Sequence, residues 1–200
     1  MSYAIIGLGK IGTAIAHAFA DQDIEVAVAG RRSLDAVAAR IGPSLVPQRM
    51  EDAVKADVII LAVPFAAHRN IGRAAEDWQG KIVIDATNAF GVPPEELDGL
   101  PSSAFLARAF PGAKVVKAFN HLPAATLAQG PKAPHGGRRV VFISSDDDAA
   151  SASVAALVDR LGFAPIELGK IGEGGLLVQA RGNTWAQLIF QDLARMDQSK

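Results

Sequence analysis

The sequence contains no cysteine. That excludes a disulfide framework, thiolate metal sites and a cysteine nucleophile, and it suits a reducing, cytoplasmic compartment. An excess of either charge is also missing. Lys and Arg number 20 against 21 Asp and Glu, a net charge of −1, which argues against nucleic acid or an anionic membrane surface as the main partner. Long hydrophobic runs are absent too. Val58-Ile59-Ile60-Leu61-Ala62-Val63 is far too short to span a bilayer, and no signal peptide precedes the first strand. The histidines stand scattered at 17, 68, 121 and 135, with no H-E-x-x-H, so no metal site is expected. No G-x-S-x-G marks a hydrolase elbow. Nor does any Lys, Tyr or Ser-x₃-Lys arrangement mark a proton donor for a carbonyl. That tells against an alcohol dehydrogenase, and less against an enzyme moving hydride between two redox rings, where the cofactors carry the chemistry.

What is present begins at once. The apolar run Tyr3-Ala4-Ile5-Ile6 leads into Gly7-Leu8-Gly9-Lys10-Ile11-Gly12, and Thr13-Ala14-Ile15-Ala16-His17-Ala18-Phe19-Ala20 follows. Strand, G-x-G-x-x-G turn and helix together form a dinucleotide-binding signature. One glycine makes the tight turn, one lets a pyrophosphate approach the backbone, and one lets helix and strand pack closely. Free N–H groups at the helix start then face the phosphates.

Strand and helix signals alternate from there. Strands are expected at 25–29, near 45–46, and at 57–63, 81–85, 114–119, 139–144 and 164–168. Helices are expected from a Ser33 cap to Ile41, around His68, Ile71 and Ala75, at 102–110 and at 146–161; residues 91–101 read as a loop. Arg138-Arg139, after two glycines, reads as a solvated loop end. Half of the residues are hydrophobic, enough for a sizeable core. The expected fold is α/β: a Rossmann doubly wound, mostly parallel sheet with helices on both faces. Residues 1–168 would form it, with 169–200 a C-terminal helical extension that closes the domain or dimerises it. In that extension Trp185, Leu188, Ile189, Leu193 and Met196 follow one apolar stripe over 183–196.

Ligands in such folds lie beyond the carboxyl ends of the strands. After the second strand stand Gly30-Arg31-Arg32-Ser33, with two guanidiniums and none of the carboxylates that would hold a ribose 2′-hydroxyl. Arginine grips a 2′-phosphate that an acid would repel, so the cofactor read here is NADP(H). After the 57–63 strand, Ala62, Val63 and Pro64 would let the dinucleotide cross the sheet, with His68 facing it or covering the helix. Asn88 would hold the nicotinamide ribose or carboxamide, or else close an Asx turn. After the 114–119 strand, Ala118, Phe119 and Asn120 make a wall for a planar ring. His121 is the candidate contact to a second substrate, with Leu122 and Pro123 beside it.

At these residues the chain resembles the NADPH-dependent coenzyme F420 oxidoreductases over about residues 3–168. The resemblance rests on Gly7 to Gly12, Gly30-Arg31-Arg32, Ala62-Val63-Pro64, Phe110-Pro111 with Val115-Val116-Lys117-Ala118-Phe119-Asn120, Leu122-Pro123-Ala124-Ala125, and Leu161-Gly162-Phe163 with Pro165. It implies hydride transfer between NADP(H) and a deazaflavin. Leu8 to Ile11 would cradle the pyrophosphate and Gly30-Arg31 the 2′-phosphate. Val63 and Ala118 would flank the nicotinamide half, and the acceptor would lie near His121 to Pro123 and the tail. The reductase domains of the STEAP metalloreductases are similar too. The expectation is thus an NADP(H)-dependent oxidoreductase, a homodimer, passing hydride to F420 or a flavin. The alternatives are a reductase of ferric complexes or another small acceptor, and a non-catalytic NADP(H)-binding sensor.

Overall fold

Alternate residues of almost every strand belong to opposite cores, and that pattern organises the molecule. The computed structural model describes residues 1–134, 136–180 and 193–196. Its elements are β1 (Tyr3–Ile6), α1 (Lys10–Ala20), β2 (Val26–Ala29), α2 (Asp35–Ile41), β3 (Leu45–Pro47), α3 (Met50–Ala53), β4 (Val58–Leu61), α4 (His68–Gly72), β5 (Ile82–Asp85), α5 (Ser102–Ala107), β6 (Lys114–Ala118), α6 (Ala124–Leu127), β7 (Arg138–Ser145), α7 (Asp148–Arg160), β8 (Ala164–Glu167) and β9 (Ala194–Arg195). The sheet order is β3-β2-β1-β4-β5-β6-β7-β8, with β9 on β7. Pairings are parallel except β6 with β7 and β7 with β9. This is the mostly parallel, doubly wound Rossmann arrangement.

Ile5, Val58, Ile60, Ile84 and Val116 face one core with Ile15 and Phe19 of α1 and Val154 and Leu157 of α7. Ala4, Ile6, Ile59, Leu61 and Val83 face the other, with Ala53, Ile71, Trp78, Phe105 and Leu106. Strands apolar at every position are what a sheet covered on both faces requires, because period-two alternation would leave one face in water.

Four local expectations change. Ser33 does not cap α2. Leu34 takes the cap position, and the Ser33 hydroxyl instead donates to the Asp35 carboxylate of the first turn. The 91–101 loop contains a 3₁₀ turn at Pro94–Leu97. Arg139 is not at a solvated loop end. It is fully buried within β7, its guanidinium donating to the Gly130 carbonyl and, at 3.2 Å, to Gln129 Oε1. The tail is not helical at 194–195, where β9 pairs antiparallel with Arg138 and Arg139. The start of β7 extends past its pairing with β6, so its edge is open, and the Val140 N–H donates to the Leu193 carbonyl at 2.7 Å. Open ladder groups outcompete an apolar stripe there. Residues 183–192 of the expected helix lie outside the described residues.

Candidate functional site

The glycine turn connects β1 to α1 and sits between β2 and β4. Gly7 has φ +95°, and its N–H donates to the Ala29 carbonyl of β2 at 2.8 Å. A Cβ on Gly7 would lie 2.7 Å from the Ala62 carbonyl oxygen. A Cβ on Gly12 would collide with the Gly7 carbonyl oxygen. Both glycines are therefore required by the fold itself. Gly9 differs: apart from its chain neighbours, no atom of the described residues lies within 4 Å of where its Cβ would be. It is the N-cap of the 11-residue α1. The open space in front of it is a cradle beside unpaired helix N–H groups, the chemistry a pyrophosphate needs.

That space belongs to a cavity of about 710 Å³, lined by Gly7 and Gly9, by Gly30 and Arg31 after β2, and by Ala62, Val63 and Pro64 after β4. It lies where the strand order turns from β1 to β4, the ligand crevice of open α/β sheets. Sequence reasoning missed Ala66, Ala67, Asn70 and Ile71, which line the far wall, and Met50. For Ala66, Ala67, Asn70 and Ile71 the signal was a 3–4 spacing that runs from the 3₁₀ turn Phe65–Ala67 into α4 and turns one stripe toward the crevice. Leu8 and Ile11 are partly buried against the core, and Lys10 is exposed. Arg32 and Ser33 line a smaller recess of about 260 Å³ on the far side of Gly30.

His68 is not in the cavity wall. It is buried, with Nδ1 at 2.5 Å from the Phe65 carbonyl and its ring packed on Phe65 and Phe105. Phe119 is not a ring wall either. It is fully buried, meets Phe163 edge-on at 6.1 Å and carries an unusual φ of +61°. That backbone twist ends β6 and turns Asn120 and His121 toward the tail. Asn88 and Asn120 face each other: the Asn88 amide donates to the Asn120 carbonyl at 2.8 Å, and the Asn120 amide donates to Val178 of the tail at 2.8 Å. Beneath them, buried Asp85 accepts from Thr87 and Ser103 and lies 3.6 Å from buried Lys117, tying β5 to β6. Leu122 joins the core, and Pro123 is exposed.

His121 is buried edge-on against Phe142, ring centroids 4.9 Å apart. Among the described residues, neither ring nitrogen has a hydrogen-bonding partner, and the Ser144 hydroxyl and Asn120 Oδ1 are likewise unpartnered. Burial pushes the His121 pKa down to about 4; the Val140 backbone offsets this only slightly, without forming a well-directed hydrogen bond. The imidazole is neutral at ordinary pH.

The description "NADP oxidoreductase coenzyme F420-dependent" is that of the family model matching residues 2–89. A solved structure from Arthrobacter sp. FB24, assigned as an F420-dependent NADP-reductase, is 30% identical, with a TM-score of 0.68 over 86% of each chain. This chain belongs to that family. A hypothetical protein from Sinorhizobium meliloti is 40% identical, with a TM-score of 0.88 over 98% of this chain and 96% of its own. Metalloreductase STEAP3 of Rattus norvegicus is 31% identical over 84% of this chain and 33% of its own length. The chain therefore spans about a third of that relative. No described helix is long and apolar enough to cross a membrane.

Proposed function

We propose that the chain catalyses hydride transfer between NADP(H) and a deazaflavin of the F420 type or a flavin. The observation that carries the cofactor half is the crevice itself: it joins the open space at Gly9 to Arg31 and has no carboxylate in its wall. In this reading Leu8 to Ile11 offer backbone N–H groups to the pyrophosphate, and Gly30-Arg31 holds the 2′-phosphate. Ala62 to Pro64 floor the crevice, and Val63 flanks the nicotinamide half; Ala118, expected beside it, is fully buried in the core at the end of β6 and does not line the crevice. The nicotinamide supplies the hydride chemistry when bound. The protein supplies alignment and a dry site, which is why no acid–base pair is needed.

The acceptor half rests on His121 to Pro123 and the adjoining tail. A neutral imidazole offers one donor and one acceptor, and both nitrogens of His121 are without partners among the described residues. The exposed apolar side chains of the tail, Leu176, Leu177, Leu193 and Met196, support assembly as a homodimer. A second reading, reduction of ferric complexes, is favoured by the 31% identity to a protein named a metalloreductase.

The test is NADPH consumption in the presence of F420, FMN, FAD or ferric salts. Acceleration by F420 or a flavin supports the proposal, and acceleration by ferric salts alone supports the second reading. NADPH binding with no turnover on any acceptor leaves only a sensor.

A further inference from the structure

The recess beyond Gly30 has a second wall that the glycine and arginine motifs do not include. β2 and β3 are parallel, with Val28 opposite Pro47, and the Gln48 N–H extends the ladder to the Val28 carbonyl at 2.9 Å. Continuing that register, Gly30 and Arg49 leave their strands side by side. Arg49 lines the 260 Å³ recess from the β3 side, facing Arg32 and Ser33 on the β2 side.

We propose that Arg49 is a specificity-determining residue, a further guanidinium that closes on the adenosine 2′-phosphate opposite Arg31 and Arg32. The proposal rests on the NADP(H) reading above. The side chain is 76% exposed, and its ion-pair distances are long, 3.4 Å to Glu51 and 3.4 Å to Asp52. Asp52 is held more closely by Lys55, at 2.7 Å. Exposed pairs of this kind contribute little, so Arg49 leaves them at small cost for a dianionic phosphate that it grips through two parallel N–H donors. One carboxylate, Asp35, also lines the recess and opposes the phosphate. The guanidiniums of Arg32 and Arg49, with Arg31 next to them across Gly30, outweigh it.

The experiment measures dissociation constants of NADPH and NADH for the whole chain, wild type, Arg49→Ala, Arg49→Lys and Arg31→Ala. Arg49→Ala should weaken NADPH by about ten-fold or more and leave NADH within about two-fold, because only the 2′-phosphate distinguishes the two. Arg49→Lys should recover part of the loss, since it keeps charge without the bidentate fork. Unchanged NADPH affinity in Arg49→Ala overturns the proposal. Equal losses for both dinucleotides also overturn it, since they mean stacking on adenine. Loss of NADPH preference in Arg31→Ala but not in Arg49→Ala leaves the cofactor reading standing and removes Arg49 alone. A wild type that does not prefer NADPH refutes the cofactor reading itself.

Discussion

His121 shows what one buried side chain imposes on the molecule. Its pKa is about 4 in the fold against 6.5 ordinarily, through burial. Between those values the unfolded chain binds the proton and the folded chain does not, so stability falls as pH drops from about 6.5 toward 4. The size is on the order of 3 kcal/mol for a shift of this extent. Urea unfolding at neutral and at mildly acid pH should show that slope, and His121→Leu should flatten it; an unchanged slope in the variant would place the acid sensitivity elsewhere. His121 was legible in the sequence as a strand-end imidazole. Its burial was not, because that depends on Phe142 of β7, which follows it by some twenty residues. For the same reason the sequence leaves His68 either a cofactor contact or a packing residue, and the rings of Phe65 and Phe105 packed on it make it the second.

At the scale of elements, the β1–turn–α1 unit separates folding from binding. Gly12→Ala forces a Cβ into the Gly7 carbonyl and should cost about 1–3 kcal/mol of stability, as overpacking does. Gly9→Ala meets no atom of the described residues beyond its chain neighbours. It should leave the thermal midpoint nearly unchanged and weaken NADPH by about ten-fold or more, by crowding the pyrophosphate. Undiminished NADPH binding in Gly9→Ala would sink the assignment of that space. The order and type of the long elements were readable because fully apolar strands and glycine stops are local signals. Short α3 and α6, of four residues each, carry too few residues for a periodicity to register. β9 was misread because its pairing is set by an edge of β7 more than fifty residues earlier, which no local pattern encodes.

For the whole molecule, the sheet places the crevice at the β1–β4 switch, while the tail covers the ends of β6 and β7. The clustering of Gly7, Gly9, Gly30, Arg31 and Ala62 to Pro64 in one crevice was legible because these residues follow strands directly. The proposed acceptor half would draw on the tail, where sequence and fold diverge most. If Leu176, Leu177, Leu193 and Met196 form a homodimer contact, light scattering should give twice the 20.9 kDa chain mass, and Leu177→Glu should shift the species toward monomer. A monomer at every concentration tested would rule that contact out. The central claim is hydride transfer from NADPH to a second ring, and its most direct test is isotopic. NADPH carrying deuterium at the transferable position is incubated with F420 and the protein, and the recovered F420 is weighed by mass spectrometry. The account predicts deuterium on the deazaflavin carbon, appearing as NADPH is consumed. Unlabelled F420 together with NADPH that neither F420 nor a flavin oxidises would contradict it.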